Sequence, residues 1–205
     1  MNKERPILFS APMVQAILDE RKTVTRRTKG LMEISANLSF NFKHFAAGIH
    51  GSQAAWFESK DGTIKEIQLP YQIGDILWVR ESSYFHKQEN KWFYKATDPL
   101  TDSIEYGYRW KPGIHMPRLA CRLFLEVLEI KVERLHAISE KDAISEGVES
   151  LTKFDQHAGY KDYMYVPEIG LSTAKQSFQS LWSSINGEQS WETNPWVWVI
   201  TFVKK

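Results

Sequence analysis

The segment DERKTVTRRTKG, Asp19 to Gly30, sets five cations into the nine positions from Arg21 to Lys29, with no acid among them. Such a field lowers a lysine's pKa and favours any arrangement that supplies a counter-charge. Lys22 thereby becomes a candidate base. Thr25, three residues on in a tight helix-to-strand connection, is a hydroxyl within its reach. Three readings fit the run alone: a solvated basic turn, a phosphate-binding site, or a lysine–threonine catalytic pair.

A second segment, SEKDAISEGV, Ser139 to Val148, carries three acids. Glu140 and Asp142 are explained by capping and the helix dipole, whereas Glu146 falls in the last turn, where the dipole disfavours a carboxylate. It is either a tolerated surface charge or, if it faces the basic run, the counter-charge and a general acid or base. A third segment, RWKPGIHMPR, interleaves Arg109, Trp110, Lys111, His115 and Arg118. That mixture suits stacking on a base while contacting phosphate, and equally suits a structured loop with one buried Trp. The histidines (His44, His50, His86, His115, His136 and His157) are scattered without metal-ligand spacing, so no metal is expected. A single cysteine, Cys121, excludes an internal disulfide or a cysteine-based zinc cluster and reads as a small buried hydrophobe. No glycine-rich phosphate loop or nucleophile-elbow motif is present, and no organic cofactor is expected.

The elements that must position these residues follow from periodicity. Ile7 to Phe9 reads as a short strand. After it come Ser10 as N-cap, Pro12 in the first helical turn, and an apolar face of Met13, Val14, Ala16 and Ile17 ending at Asp19 and Glu20. Thr23, Val24 and Thr25 favour extended backbone. Residues 31 to 70 read as an excursion with an Asp61-Gly62 hairpin, and residues 152 to 172 as a second insertion. A strand is expected over Ile76 to Glu81 after the Gly74-Asp75 turn, an edge strand in NKWFYKATD, and a long bent strand in CRLFLEVLEIKVERL. Ser139 caps a short helix that stops at Gly147, and AKQSFQSLWSSING is an amphipathic helix presenting Phe178, Leu181, Trp182 and Ile185. The closing PWVWVITFV is apolar on both faces, the pattern of a central strand. Strands with a few short helices point to one compact, β-barrel-like α+β domain spanning 1 to 205.

Composition bounds the function class. At 42% apolar and 25% charged the chain is an ordinary globular protein. Its formal charge of +1 excludes binding of a polyanion by bulk attraction, so any nucleic-acid affinity rests on a local patch. No window approaches the roughly 18 apolar residues of a membrane span, and the charged start carries no signal, so a cytoplasmic protein without a membrane partner is expected.

Together, ILDERKTVTRR, IGDILWVRES, RLHAISEKDAISEGV and NPWVWVITF resemble the ASCH domain, a branch of the PUA-like superfamily, and within it the longer phage- and prophage-associated proteins. The family signature G-x-K-x-x-x-x-R is matched by Lys22 and Arg27, with Glu20 at the glycine position. The resemblance implies a small PUA-like β-barrel with flanking short helices and a Lys/Arg-lined cleft for RNA or a nucleoside or nucleotide. One bacterial member of the family hydrolyses the amide of N4-acetylcytidine with Lys, Thr and Glu. Its motifs align with Arg21, Lys22, Thr23, Thr25 and Arg27, and with Glu140, Lys141, Ala143 and Glu146. The resemblance thus implies Lys22, Thr25 and Glu146 as catalytic, without a cofactor; Arg21, Arg26 or Arg27 would then stabilise an oxyanion or bind phosphate, and the loop composition adds Trp110, His115 and Arg118 as substrate- or nucleic-acid-binding. The alternatives are a non-catalytic RNA- or DNA-binding module, a phage-associated accessory protein, or a ribonuclease, since another ASCH protein has been described as a metal-dependent ribonuclease.

Overall fold

The computed structural model describes residues 3–37, 39–49, 52–98, 109–151, 159–165 and 170–205. His50, His157, and residues 152–158 and 166–169 of the expected second insertion lie outside the described residues. The chain runs β1 (Glu4–Leu8), α1 (Ala11–Leu18), β2 (Val24–Arg27), α2 (Met32–Ala36), β3 (Asn41–Ala47), β4 (Gln53–Glu58) and β5 (Ile64–Gln68). It continues through β6 (Ile76–Arg80), β7 (Ser83–His86), β8 (Lys91–Tyr94), β9 (Phe124–Arg134), α3 (Glu140–Ser145), β10 (Ser150–Leu151) and β11 (Gly159–Tyr160). The last elements are α4 (Ala174–Asn186) and β12 (Trp196–Lys204). This is a mixed α+β fold, mostly strands in several sheets.

The main sheet has the order β1-β6-β9-β12-β2, with β1 parallel to β6 and the other pairs antiparallel. The strand apolar on both faces, β12, lies between β9 and β2, with Trp196 through Ile200 all buried. Its indole at Trp198 is fully buried and donates to the Lys29 carbonyl at 2.9 Å, tying the end of the basic run to the core. A flat five-stranded sheet would hold its two edges roughly 19 Å apart, four spacings of about 4.8 Å. Here the Arg27 side chain on β2 donates to the Leu8 carbonyl on β1 at 2.7 Å, so the two edges approach each other at this end of the sheet. A register shift in β12 between Thr201 and Phe202 adds local bend.

The excursion at 31 to 70 forms α2 and a separate β3-β4-β5 sheet, with the Asp61-Gly62 turn between β4 and β5. It is not a loose appendage. Phe57 is fully buried and packs edge-on against Trp196 at 5.4 Å, and the Ser35 hydroxyl accepts from the Trp196 N–H at 2.9 Å. At the far edge β7 and β8 form a two-stranded ribbon. Glu81, at the end of β6, is buried there by a two-point contact with Arg122, at 2.8 and 2.9 Å. Cys121 is half-buried, and burial raises its thiol pKa.

Trp198→Phe removes the indole N–H and leaves the Lys29 carbonyl without its donor. It should cost about 2 kcal/mol, the sum of a lost buried hydrogen bond and a small packing defect. Urea unfolding checks this: the midpoint falls while the slope stays constant.

Candidate functional site

The site begins at the end of α1. Ala16 to Arg21 close a Schellman motif, with the Arg21 N–H on the Ala16 carbonyl at 2.9 Å and the Glu20 N–H on the Ile17 carbonyl at 3.1 Å. The residue that turns the chain is Glu20, with φ of 62°. That left-handed backbone is what glycine favours, which gives the glycine of the resembled signature a physical reason. The Lys22 N–H returns to the same Ala16 carbonyl at 3.0 Å, and the turn aims the Lys22 side chain inward.

Inside, the Lys22 ammonium is surrounded by acceptors: Glu146 Oε2 at 2.7 Å, the Glu146 carbonyl at 2.8 Å and the Val24 carbonyl at 2.9 Å. All three N–H bonds are used, and the side chain is 2% exposed. The other Glu146 oxygen accepts from Arg26 Nη1 at 3.1 Å, and Arg26 continues to Glu133 at 2.7 Å. Glu146 is the C-cap of α3, and two cations at that negative helix end explain a carboxylate otherwise disfavoured there. Ser139 caps the other end by accepting from the Asp142 N–H at 3.1 Å. Gly147 has φ of 87°, and a Cβ on it would sit 2.8 Å from the Lys22 Cβ and 2.9 Å from the Ala16 Cβ. The close approach of α1, β2 and α3 therefore needs glycine at this position.

Lys22, Thr25, Arg26, Arg27 and Glu146 all line one cleft of about 610 Å³. Its walls include Phe9, Tyr71, Phe178, Leu181, Trp182 and Ile185, and both sheet edges contribute. Phe9 lies beneath two of the cations, 5.7 Å from Lys22 Nζ and 5.0 Å from the Arg27 guanidinium carbon. Thr25 is buried, and among the described residues its hydroxyl has no hydrogen-bond partner. Ser10 is the N-cap of α1, but its side chain makes no capping bond and instead lines the cleft.

The remaining candidates sit elsewhere. Arg21 donates to the Gly147 carbonyl at 3.0 Å and pairs with Asp19, clamping the end of α3 from outside the cleft. From the loop 109 to 118, it is Pro112, Gly113 and Ile114 that reach the cleft, while Trp110, His115 and Arg118 do not line it. Arg118 pairs with Glu4 at 2.8 Å and covers the Phe124 ring at 4.5 Å, on the β1-β6-β9 side. Sequence reasoning missed Phe9, Tyr71, Thr28 and the Glu133 partner of Arg26, and it held Lys29 only as a member of the basic run. Among the described residues no cluster of three metal-ligating side chains forms, and no helix is long and apolar enough to cross a membrane.

Burial lowers the Lys22 pKa from its ordinary 10.5, and Arg27 and Arg26 push the same way, while Glu146 opposes by charge and hydrogen bond. The folded state therefore releases this proton at lower pH than the unfolded chain. Between the lowered value and 10.5 the unfolded state binds more protons, so this group's contribution to stability rises with pH across that window. Glu146→Gln removes the opposing charge and should lower the Lys22 pKa further, read from the lysine side-chain resonances in an NMR titration. An unchanged or raised midpoint would contradict this electrostatic account. Separately, Glu20→Gly should stabilise the fold by about 0.5–1 kcal/mol, measured by urea unfolding, since it relieves the left-handed glutamate.

Compared with known proteins, the chain matches no family model, no curated protein and no solved structure.

Proposed function

We propose that the chain is a PUA-like ASCH protein whose cleft binds a nucleoside or nucleotide and hydrolyses an exocyclic amide of the N4-acetylcytidine type. The observation that carries the reading is the Lys22–Glu146 pair at 2.7 Å, on a cleft also lined by the unpartnered Thr25 hydroxyl. The approach of the two sheet edges supports the small-barrel assignment, and the aromatic walls suit a stacked base.

In this mechanism Lys22 passes a proton to Glu146 and becomes a neutral amine, a transfer helped by the burial that lowers its pKa. The Thr25 oxygen bonds to the acyl carbon while Lys22 takes the hydroxyl proton. The oxyanion is stabilised by the neighbouring arginines. As the C–N bond breaks, the proton on Glu146 goes to the departing exocyclic nitrogen. Water then hydrolyses the Thr25 ester and releases the acid. No step requires a metal or an organic cofactor.

A second reading, a nucleic-acid-binding module without turnover, is favoured by one observation: every donor of the Lys22 ammonium already has an acceptor. The two separate in one assay, chromatography of cytidine released from N4-acetylcytidine. Turnover by the wild type, cut about 10²- to 10⁴-fold in Thr25→Val, supports hydrolysis. A wild type no faster than buffer, or a Thr25→Val variant as fast as wild type, sinks it. The binding module instead predicts salt-dependent oligonucleotide affinity that weakens in Arg27→Ala.

A further inference from the structure

The charges around the cleft do not balance. Four cations line it, Lys22, Arg26, Arg27 and Lys29, against one carboxylate, Glu146. Lys22 and Arg26 are neutralised by Glu146 and by Glu133 of β9. Among the described residues, Arg27 and Lys29 have no carboxylate at ion-pair distance. Arg27 donates once, from Nη2 to the Leu8 carbonyl, and its buried Nε has no acceptor. A guanidinium carries five donors, and leaving a buried one unsatisfied is costly. The Thr28 hydroxyl lines the same wall between the two cations, and among the described residues it too has no partner.

These residues also have an order. Thr25 and Arg27 alternate on β2, about 7 Å apart along the strand. Lys29 follows beyond the strand end, where its side chain is exposed at the mouth of the cleft. The pair Lys22–Glu146 lies at the other, buried end. The cleft therefore runs from a hydroxyl and a proton-transfer pair to two cations with no carboxylate at ion-pair distance. A nucleotide has the same sequence of groups, from base through sugar to phosphate.

We infer that Arg27, Thr28 and Lys29 form a phosphate subsite, so that the natural ligand is a phosphorylated nucleoside rather than a free one. The identity of the base end rests on the reading under Proposed function; the anion subsite does not. The phosphate group could belong to a mononucleotide or to an RNA strand, and the two are separated experimentally. Arg27 supplies the directional donors and Lys29 a mobile charge at the mouth.

The test is calorimetric titration of the full chain at fixed salt with cytidine, cytidine 5′-monophosphate, inorganic phosphate and a short single-stranded RNA. The monophosphate should bind about tenfold or more tighter than cytidine, the worth of one charge-assisted hydrogen bond. Lys29→Gln spares the backbone carbonyl that Trp198 uses and should reduce that preference about threefold or more. Arg27→Gln should bring it close to one, while Lys131→Gln, an exposed charge on β9, should leave it unchanged. RNA binding tighter than the monophosphate, with the same loss in Arg27→Gln, supports the subsite and assigns the phosphate to a strand. Equal affinity for cytidine and its monophosphate overturns the subsite while leaving the nucleoside reading intact. Phosphate binding lost in Arg27→Gln, with neither cytidine compound preferred over phosphate alone, upholds the subsite and removes the nucleoside. Binding of none of the four overturns both.

Discussion

One buried ammonium organises this molecule. Lys22 leaves water only because three acceptors meet it, and two of the three are backbone carbonyls at places where regular structure ends or begins. A lysine placed in an apolar interior would be several kcal/mol unfavourable, so the surrounding backbone is held to the geometry that solvates it. The start of β2, the last turn of α3 and the closing turn of α1 are fixed relative to one another by that requirement. Those three junctions in turn decide where Thr25, Arg26 and Glu146 stand. A change at Glu146 therefore leaves Lys22 without a carboxylate and Arg26 with Glu133 as its close one, and the site and the packing around it cannot be altered independently.

The same network separates two kinds of cation drawn from one short run. Arg21 faces outward and fastens a carbonyl, Lys22 and Arg26 are locked by carboxylates, and Arg27 and Lys29 are left with charge to spare. Five like charges in nine residues look alike in sequence. Their fates differ because the turn at Glu20 and the two-residue alternation of β2 point successive side chains in different directions.

Much of this was legible from local pattern. The helices at 11–18, 140–145 and 174–186 and the central strand at 196–204 follow from apolar spacing and caps, because those signals act over a few residues. Glu146 announced itself by sitting against the dipole, and the cations that explain it are over a hundred residues away. What was not legible depends on distant register. Glu133 meets Arg26 only because β9 and β2 flank β12 in the sheet. The aromatic loop at 109–118 shows the limit of composition: it reaches the cleft, but through Pro112 to Ile114 rather than through its Trp and His. The direction a side chain takes in a loop broken by Pro and Gly is set by the surface it lands on, here the Leu8 side chain and the Arg80 backbone beneath Gly113. Tyr71, likewise, enters the cleft from the chain that follows the excursion, and no periodicity marks it.

The contact between Arg27 and the Leu8 carbonyl has a consequence beyond ligand binding. An open sheet ends in two rows of unpaired backbone groups, and such rows recruit strands from other molecules. By reaching across from β2, the Arg27 side chain occupies the Leu8 carbonyl, one of the β1 edge groups that an added strand would have to use. One arginine thus blocks an acceptor on the edge of β1 as well as forming a wall of the cleft, so a single side chain serves both the sheet edge and the space beside it.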